Sequence, residues 1–200
     1  MEAGLDIPAI RIGYPEWVTG FVEWDRCYGS DAEKMRLAID LSRQNVVHET
    51  GGPFGAAVFE TATGRLVAVG MNLVVPLNNC MLHAEAVALM MAGCRRGSYS
   101  LDVGVPHELV TSCAPCAMCL GASLWSGVRR IVCGARSADA ERIGFDEGPV
   151  FPASHEYLTD RGVEIRHDVL RDEACAVLDL YASRSGRIYN GLVMEIPVSI

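Results

Sequence analysis

Nowhere in these 200 residues do five or six lysines or arginines stand together, and 25 acidic side chains outnumber 17 basic ones, for a net charge of -8. A large nucleic acid is therefore not an expected partner, since phosphate binding draws on clustered cations that release counterions. No apolar run approaches the ~20 residues that a membrane-spanning helix needs. The most apolar stretch, GAAVFETATGRLVAVG, is interrupted by a charge or a glycine every few residues. The opening MEAGLDIPAI has an acidic second residue and lacks the basic-then-apolar order of a secretory signal. Repeats and low-complexity tracts are missing too. These absences leave the expectation of a cytoplasmic chain, without a membrane partner, that works on a small molecule.

Half of the residues are apolar (50%) and 21% are charged, enough to bury a core and form one domain with short appendages. Residues 1–30 mix proline, glycine and aromatics without a sustained period. They read as an N-terminal arm or cap, with Trp17, Phe21 and Trp24 anchoring it on the core or on a second subunit. Residues 31–200 read as one domain with a C-terminal tail. After Ser30 or Asp31 as N-cap, Met35, Leu37, Ala38, Leu41, Val46 and Val47 keep a helical repeat until GGPFG breaks it. Two apolar runs around TATG predict a hairpin. CMLHAEAVALMMAGCRRG closes on basic residues and Gly97, as a helix should. HELVTS and VRRIVCGA are predicted strands flanking a helix over CAPCAMCLGASLWSG, with Pro115 near its first turn. A loop over RSADAERIGFDEGPVFPAS, helix SHEYLTDRG, strand VEIRHDV and helix RDEACAVLDLYASR complete the pattern. Strands alternating with helices behind a hairpin predict an α/β sandwich on a mixed sheet.

Of the 8 cysteines, Cys27, Cys80, Cys94, Cys133 and Cys175 are scattered singly along apolar segments. They read as buried small hydrophobes in a reducing compartment, not as a disulfide framework. The other three stand in SCAPCAMCLG, each separated from the next by two residues. Three chemistries compete for such a run. An iron–sulfur run of the form C-x2-C-x2-C-x3-C-P needs a fourth thiol where Ser123 stands, although a remote cysteine could complete a cluster. A structural zinc site closes four protein ligands around the ion, typically from two paired-ligand knuckles, and only one such pair is evident. A hydrolytic zinc centre needs three ligands and an open position. His83 and Glu85 of HAE, followed roughly thirty residues later by PCAMC, give the order H-x-E then P-C-x-x-C found in zinc deaminases.

Cys116 and Cys119, three apart on a predicted helix, share a face and can chelate one ion together with His83. Cys113 precedes Pro115, lies off that face and is read as a buried or partner-facing thiol. Glu85, two residues beyond His83, cannot share its helical face, so it is placed to reach a water there and not to ligate the ion. Helix N-termini aimed at the metal favour thiolate over thiol. The chemistry this predicts is hydrolysis of an exocyclic amine, with Glu85 carrying the proton.

At GGPFGA, MLHAEAVAL, TSCAPCAMCLGASLWSGVRRIV and IGFDEG the chain resembles the cytidine deaminase-like superfamily, and through IGFDEG its guanine deaminase branch. The resemblance runs from about Asp31 to the C-terminus. It implies a three-layer α/β/α sandwich around a five-stranded mixed sheet, and it makes residues 31–200 a zinc-dependent deaminase domain. It also implies one Zn2+ per subunit, held by His83, Cys116 and Cys119, and a homodimer. By the same likeness Glu85 and Glu147 are catalytic, Phe54 stacks on a planar base, Asn72 hydrogen-bonds its ring, and Ala84 and Asp146 also contact substrate. Glu147, or Asp146 in its stead, would read a purine's donor edge, which suits an ionised carboxylate because it only accepts hydrogen bonds. Leaving such a buried acceptor unpaired costs ~1–3 kcal/mol, enough to bias selection. Guanine going to xanthine plus ammonia is the expected reaction. An aminotriazine, guanosine or cytosine is the alternative substrate, and a structural-zinc module the non-enzymatic alternative. The acidic balance argues against a transfer RNA substrate. Tyr189 and Asn190, in the tail GRIYNGLVMEIPVSI, are read either as closing over the pocket, as tail residues do in related enzymes, or as packing between subunits.

Overall fold

The computed structural model describes residues 9–191. In chain order its elements are α1 Trp17–Phe21, α2 Asp31–Val47, β1 Gly55–Glu60, β2 Leu66–Met71, α3 Ala84–Arg96 and β3 His107–Cys113. They continue with α4 Ala117–Ser126, β4 Arg130–Ala135, α5 Ser137–Glu141, α6 Pro152–Thr159, β5 Glu164–Arg166 and α7 Arg171–Ser183. The strands form one sheet in the order β2-β1-β3-β4-β5. β1 pairs antiparallel with β2 and with β3, whereas β3, β4 and β5 run parallel.

β1, β2 and β3 are buried along their whole length, and sheets covered on both faces have strands that read as apolar runs without alternation. Ala57 and Phe59 of β1 join a core with Met35 and Leu41 of α2 and Leu178 of α7. Ala56 and Val58 join the opposite core, with Ala84 and Ala88 of α3 and Leu120 of α4. The two cores make the three-layer α/β/α sandwich on a five-stranded mixed sheet that the resemblance implies. Two glycines let the helices come close. A Cβ on Gly55 would stand 2.2 Å from the Ala38 carbonyl oxygen of α2, and one on Gly70 would stand 2.1 Å from that of Ala84 in α3.

Ser30 caps α2 by accepting the Glu33 N–H, and α3 ends on Gly97 at φ 62, the left-handed conformation that glycine adopts without steric cost. Where the described part of residues 1–30 was expected to be irregular, it contains the one-and-a-half turns of α1, whose Val18 is fully buried. Tyr14 donates from its hydroxyl to the Val69 carbonyl at 2.8 Å, Trp24 packs on Tyr14, and Phe21 is half exposed. The segment expected as a loop after β4 holds α5, whose N-terminus Asp139 caps by accepting the Arg136 N–H at 2.8 Å. Three cysteines expected to be buried, Cys27, Cys80 and Cys94, are exposed; single residues on turns and helix ends carry no periodicity that could reveal their side. Of the tail singled out in sequence, residues 192–200 lie outside the described residues.

Candidate active site

One end of the sheet collects the functional segments. β2 finishes there at Met71 and hands over Asn72, β3 finishes at Cys113 and leads to Cys116, and β1, running the other way, starts there directly after Phe54. In open α/β sheets ligands gather outside the carboxyl ends of parallel strands. A cavity of about 630 Å³ lies at this end, lined among others by Phe54, Asn72, His83, Glu85, Cys116 and Glu147.

His83 is the N-cap of α3 and Cys116 the N-cap of α4, so both present their side chains at helix N-termini. This refines the expectation that Cys116 and Cys119 share one helical face: Cys116 is extended (ψ 174), the helix starts at Ala117, and Pro115 stands outside it. The ligand-capable atoms of His83, Cys116 and Cys119 all lie within 4.8 Å of one another, and His83 Nδ1 is 3.4 Å from Cys116 Sγ. In a tetrahedral zinc site with ordinary Zn–N and Zn–S bonds, neighbouring nitrogen and sulfur ligands stand about 3.6 Å apart. One imidazole and two sulfurs at this spacing fit the metal. The Cys116 thiol is lowered to about 4 by a hydrogen bond from Cys119, against burial, with His83 assisting. Cys119, by contrast, is raised, first by the Cys116 sulfur and then by burial and Glu85. A cation between the two sulfurs removes their competition for one proton.

Glu85, in the first turn of α3, is buried, and its carboxyl is pushed up to about 7 by desolvation first and by the Cys116 charge second, with His83 opposing. Burial works against charge on the His83 ring, yet Cys116, Glu85 and Glu147 together raise its pKa. Cys113 does not join the cluster: its thiol packs in the α2/α7 core, donates toward the Arg136 carbonyl at 3.6 Å, and is held neutral by burial.

The remaining residues singled out in sequence divide. Glu147 is buried in the cavity, its carboxyl pushed up to about 8 by desolvation and then by the Cys116 and Glu85 charges. Its backbone carbonyl accepts the Ala117 N–H at 3.0 Å, which ties this loop to the start of α4. Asp146 borders the same cavity but is exposed, and its carboxylate is engaged by the Gly148 N–H at 2.9 Å. Phe54 is half-buried and meets Phe145 edge to face at 5.0 Å. Asn72 is buried, and its Oδ1 accepts the Val74 N–H at 3.2 Å, leaving its amide hydrogens for the cavity side. Ala84 is not among the lining residues: it is fully buried against β2, where Gly70 admits its carbonyl. Sequence reasoning missed Phe145, although it stands in IGFDEG; it bridges Phe54 and Tyr189, the latter also at 5.0 Å. Tyr189 lines the cavity with its hydroxyl buried on the Asn72 side, and Asn190 accepts the Asp146 N–H and donates to the Gly144 carbonyl, each at 3.0 Å.

Three protein ligands at two helix N-termini, with a buried carboxyl beside them that is not one of the three, have the plan of a hydrolytic metal centre; a structural one closes all four positions. Residues 29–135 match the cytidine and deoxycytidylate deaminase zinc-binding region, and the chain belongs to that family. Guanine deaminases among its likenesses support the guanine deaminase branch. A guanine deaminase of Bacillus subtilis (strain 168) is 36% identical over 117 residues, which cover 58% of this chain and 72% of the relative. A solved guanine deaminase from Nitrosomonas europaea is 41% identical, with a TM-score of 0.83 over 88% of this chain and 97% of its own. Another solved structure, in complex with 2,6-diaminopurine, is 42% identical, with a TM-score of 0.85 over 91% of this chain and 97% of its own.

Proposed function

We propose that this chain hydrolyses the exocyclic amine of guanine, giving xanthine and ammonia. The observation that carries this reading is the juxtaposition, in one cavity, of Glu85 and Glu147 with His83 and Cys116, whose ligand atoms lie within 4.8 Å of each other and of the Cys119 sulfur behind them. The guanine deaminase relatives, and the diaminopurine held by one structural neighbour, support a purine over a pyrimidine or a triazine. His83, Cys116 and Cys119 would hold one zinc per chain. When bound, zinc supplies the Lewis acidity that lets water act as a nucleophile at neutral pH.

Burial raises the Glu85 carboxyl above the ordinary carboxylate value, toward the range in which a group both accepts and donates a proton. Glu85 takes a proton from the attacking water and delivers it to the ring nitrogen beside the attacked carbon. It then protonates the departing amine, so that one C–O bond forms and one C–N bond breaks. Glu147 reads the purine's amino and imino edge as an acceptor. Two of the causes that hold its carboxyl protonated are the Cys116 and Glu85 charges, and a cation beside those groups offsets both. Phe54, braced by Phe145, offers a ring for the base to stack on, and the Asn72 amide donates to an acceptor on it. The function is that of residues 31–200, with the described residues 9–30 packed on them as an arm. A homodimer is supported by Trp125, 83% exposed on α4. A reducing cytoplasm is supported by eight unpaired cysteines, and among the described residues no helix is long and apolar enough to cross a membrane.

Ammonia release from guanine, guanosine, cytosine, adenine and an aminotriazine tests the reading, with guanine expected to lead. Turnover of cytosine alone overturns the purine assignment. Glu85→Gln should keep zinc and lower turnover by about 10²–10⁴-fold, the usual worth of a positioned acid–base group. A zinc kept only for stability predicts no turnover for that change to lower.

A further inference from the structure

Behind the cavity wall runs a chain of hydrogen bonds whose direction is fixed by chemistry. Trp17 donates from Nε1 to Thr50 Oγ1 at 2.9 Å, and the Thr50 hydroxyl donates to Asn45 Oδ1 at 2.8 Å. Asn45, fully buried in α2, spends both amide hydrogens on backbone carbonyls, those of Gly52 and Asn72, each at 2.9 Å. An indole N–H can only donate, so the hydroxyl must pass its own hydrogen on. Turning the Asn45 amide over would set its oxygen against two carbonyl oxygens, so its orientation is fixed as well.

The two carbonyls belong to the two segments proposed to hold the base. Gly52 O also accepts the Phe54 N–H at 2.9 Å, and Phe54 O accepts the Asn72 N–H at 3.1 Å. The β1–β2 ladder ends at Gly55 and Met71, the Asn72 N–H to Phe54 O bond carries it one step further, and the Asn45 side chain then bridges the two segments beyond the sheet. The approach is close: a Cβ on Gly51 would stand 1.9 Å from Asn72 O and 2.6 Å from Asn45 Nδ2. Trp17 is held at the far end by stacking on His48, with ring centroids 5.6 Å apart and planes 7° from parallel.

We propose that Trp17, Thr50 and Asn45 form a one-way relay through which the N-terminal arm sets Phe54 and Asn72 at their working separation, making Asn45 a positioning residue for the base. This rests on the reading of the cavity as a purine site, and the arm thereby becomes part of substrate binding, not a cover for the core.

Thr50→Val keeps the shape and removes the middle of the relay, while Thr50→Ser keeps the hydroxyl. Trp17→Phe keeps an aromatic ring over His48 and removes the N–H. With guanine, Thr50→Val should raise KM roughly tenfold, the worth of about one hydrogen bond, with kcat within about threefold and zinc retained. Thr50→Ser should bring KM back to within about twofold of the parent. Hydrogen exchange reads the relay without any turnover: Thr50→Val and Trp17→Phe should both speed exchange in residues 51–54 and 72–74. An unchanged KM for Thr50→Val in a chain that deaminates guanine, or a Thr50→Ser chain as impaired as Thr50→Val, overturns the relay. Should the parent release no ammonia from guanine, the functional reading fails, and the exchange rates decide the relay alone: unchanged rates in both segments overturn it.

Discussion

Gly70→Ala is the smallest change that should move the metal ligands without touching them. The added methyl would stand 2.1 Å from the Ala84 carbonyl oxygen, 2.5 Å from the Ala88 nitrogen and 2.9 Å from the Ala88 Cβ. Ordinary contact begins at 3.4 Å, so the shortfall at the carbonyl is about 1.3 Å, and the obstacle is backbone, which cannot swing aside as a side chain does. α3 must therefore withdraw from β2 by on the order of 1 Å. Such overpacking costs about 1–3 kcal/mol of stability. Ala84 is the first residue of α3, however, and its neighbours are His83 and Glu85, so the displacement falls on a metal ligand and on the carboxyl beside it. A misplacement of about 1 Å at a reacting centre can lower turnover about 10²-fold.

Gly55→Ala is the matched control. Its methyl would meet the Ala38 oxygen at 2.2 Å and the Ser42 nitrogen at 2.6 Å, but the helix it pushes, α2, bears none of the three clustered ligands. Both variants should lose comparable stability in urea titrations. At a temperature where both are folded, only Gly70→Ala should lose zinc to a weak chelator. A folded Gly70→Ala chain that holds zinc as tightly as the parent and turns over within about threefold of it would refute the claim that this glycine sets the position of α3.

The remaining expectations concern the ligand set and the charges under the sheet. Cys113→Ala should leave zinc content unchanged at a cost of about 1 kcal/mol, whereas Cys119→Ala should lose the metal; metal analysis of the purified chains separates them. Glu108 is fully buried between Lys34 and Arg130, and Arg130 also binds Asp31 through two hydrogen bonds, at 2.7 and 2.8 Å. Lys34→Met, which leaves Glu108 paired with Arg130, should cost less in urea unfolding than Arg130→Met, for which about 3–5 kcal/mol is expected; the reverse order would show that the pairing is misjudged. Asp139 is held below the ordinary carboxylate range, chiefly by two hydrogen bonds from Arg171 at 2.8 and 2.9 Å, against some desolvation. A depressed folded pKa contributes stability that is full above the unfolded value of 3.8 and is lost as pH falls below it, so Asp139→Asn should flatten the acid limb of the stability profile below about pH 4.

What was legible in the sequence was carried by short-range order. The ligand cluster reads directly because His83 and Glu85 are two residues apart, Cys116 and Cys119 three, and each pair sits where a helix begins. The hairpin and the long helices α2, α3 and α7 read from turn residues and apolar periodicity, and the alternation of strands and helices led to the sandwich. The rest depends on encounters between distant segments. Phe145 meets Phe54 across 91 positions of the numbering and Tyr189 across 44, and no local pattern announces either meeting. Ala84 and Asp146 stand next to functional residues in the chain, yet neighbours on a helix or a loop face different ways: Ala84 is packed against β2, and Asp146 stands at the rim of the cavity.

The same contrast accounts for how this site is built. Chemistry that must be shared by one ion comes from caps and first turns, where a few consecutive residues fix the geometry and the helix ends favour thiolate. Recognition of a flat base needs opposed walls, and these come from the start of β1, the end of β2 and the loop after α5, whose separation no single segment controls. Something must hold the walls apart by a fixed amount once the sheet's own ladder has ended. Asn45 bridges the first two from behind, and the Ala117 N–H holds the loop carrying Glu147 to the start of the metal-binding helix. The metal half of the site is therefore expected to survive changes in these braces, while selection among bases is expected to respond to them.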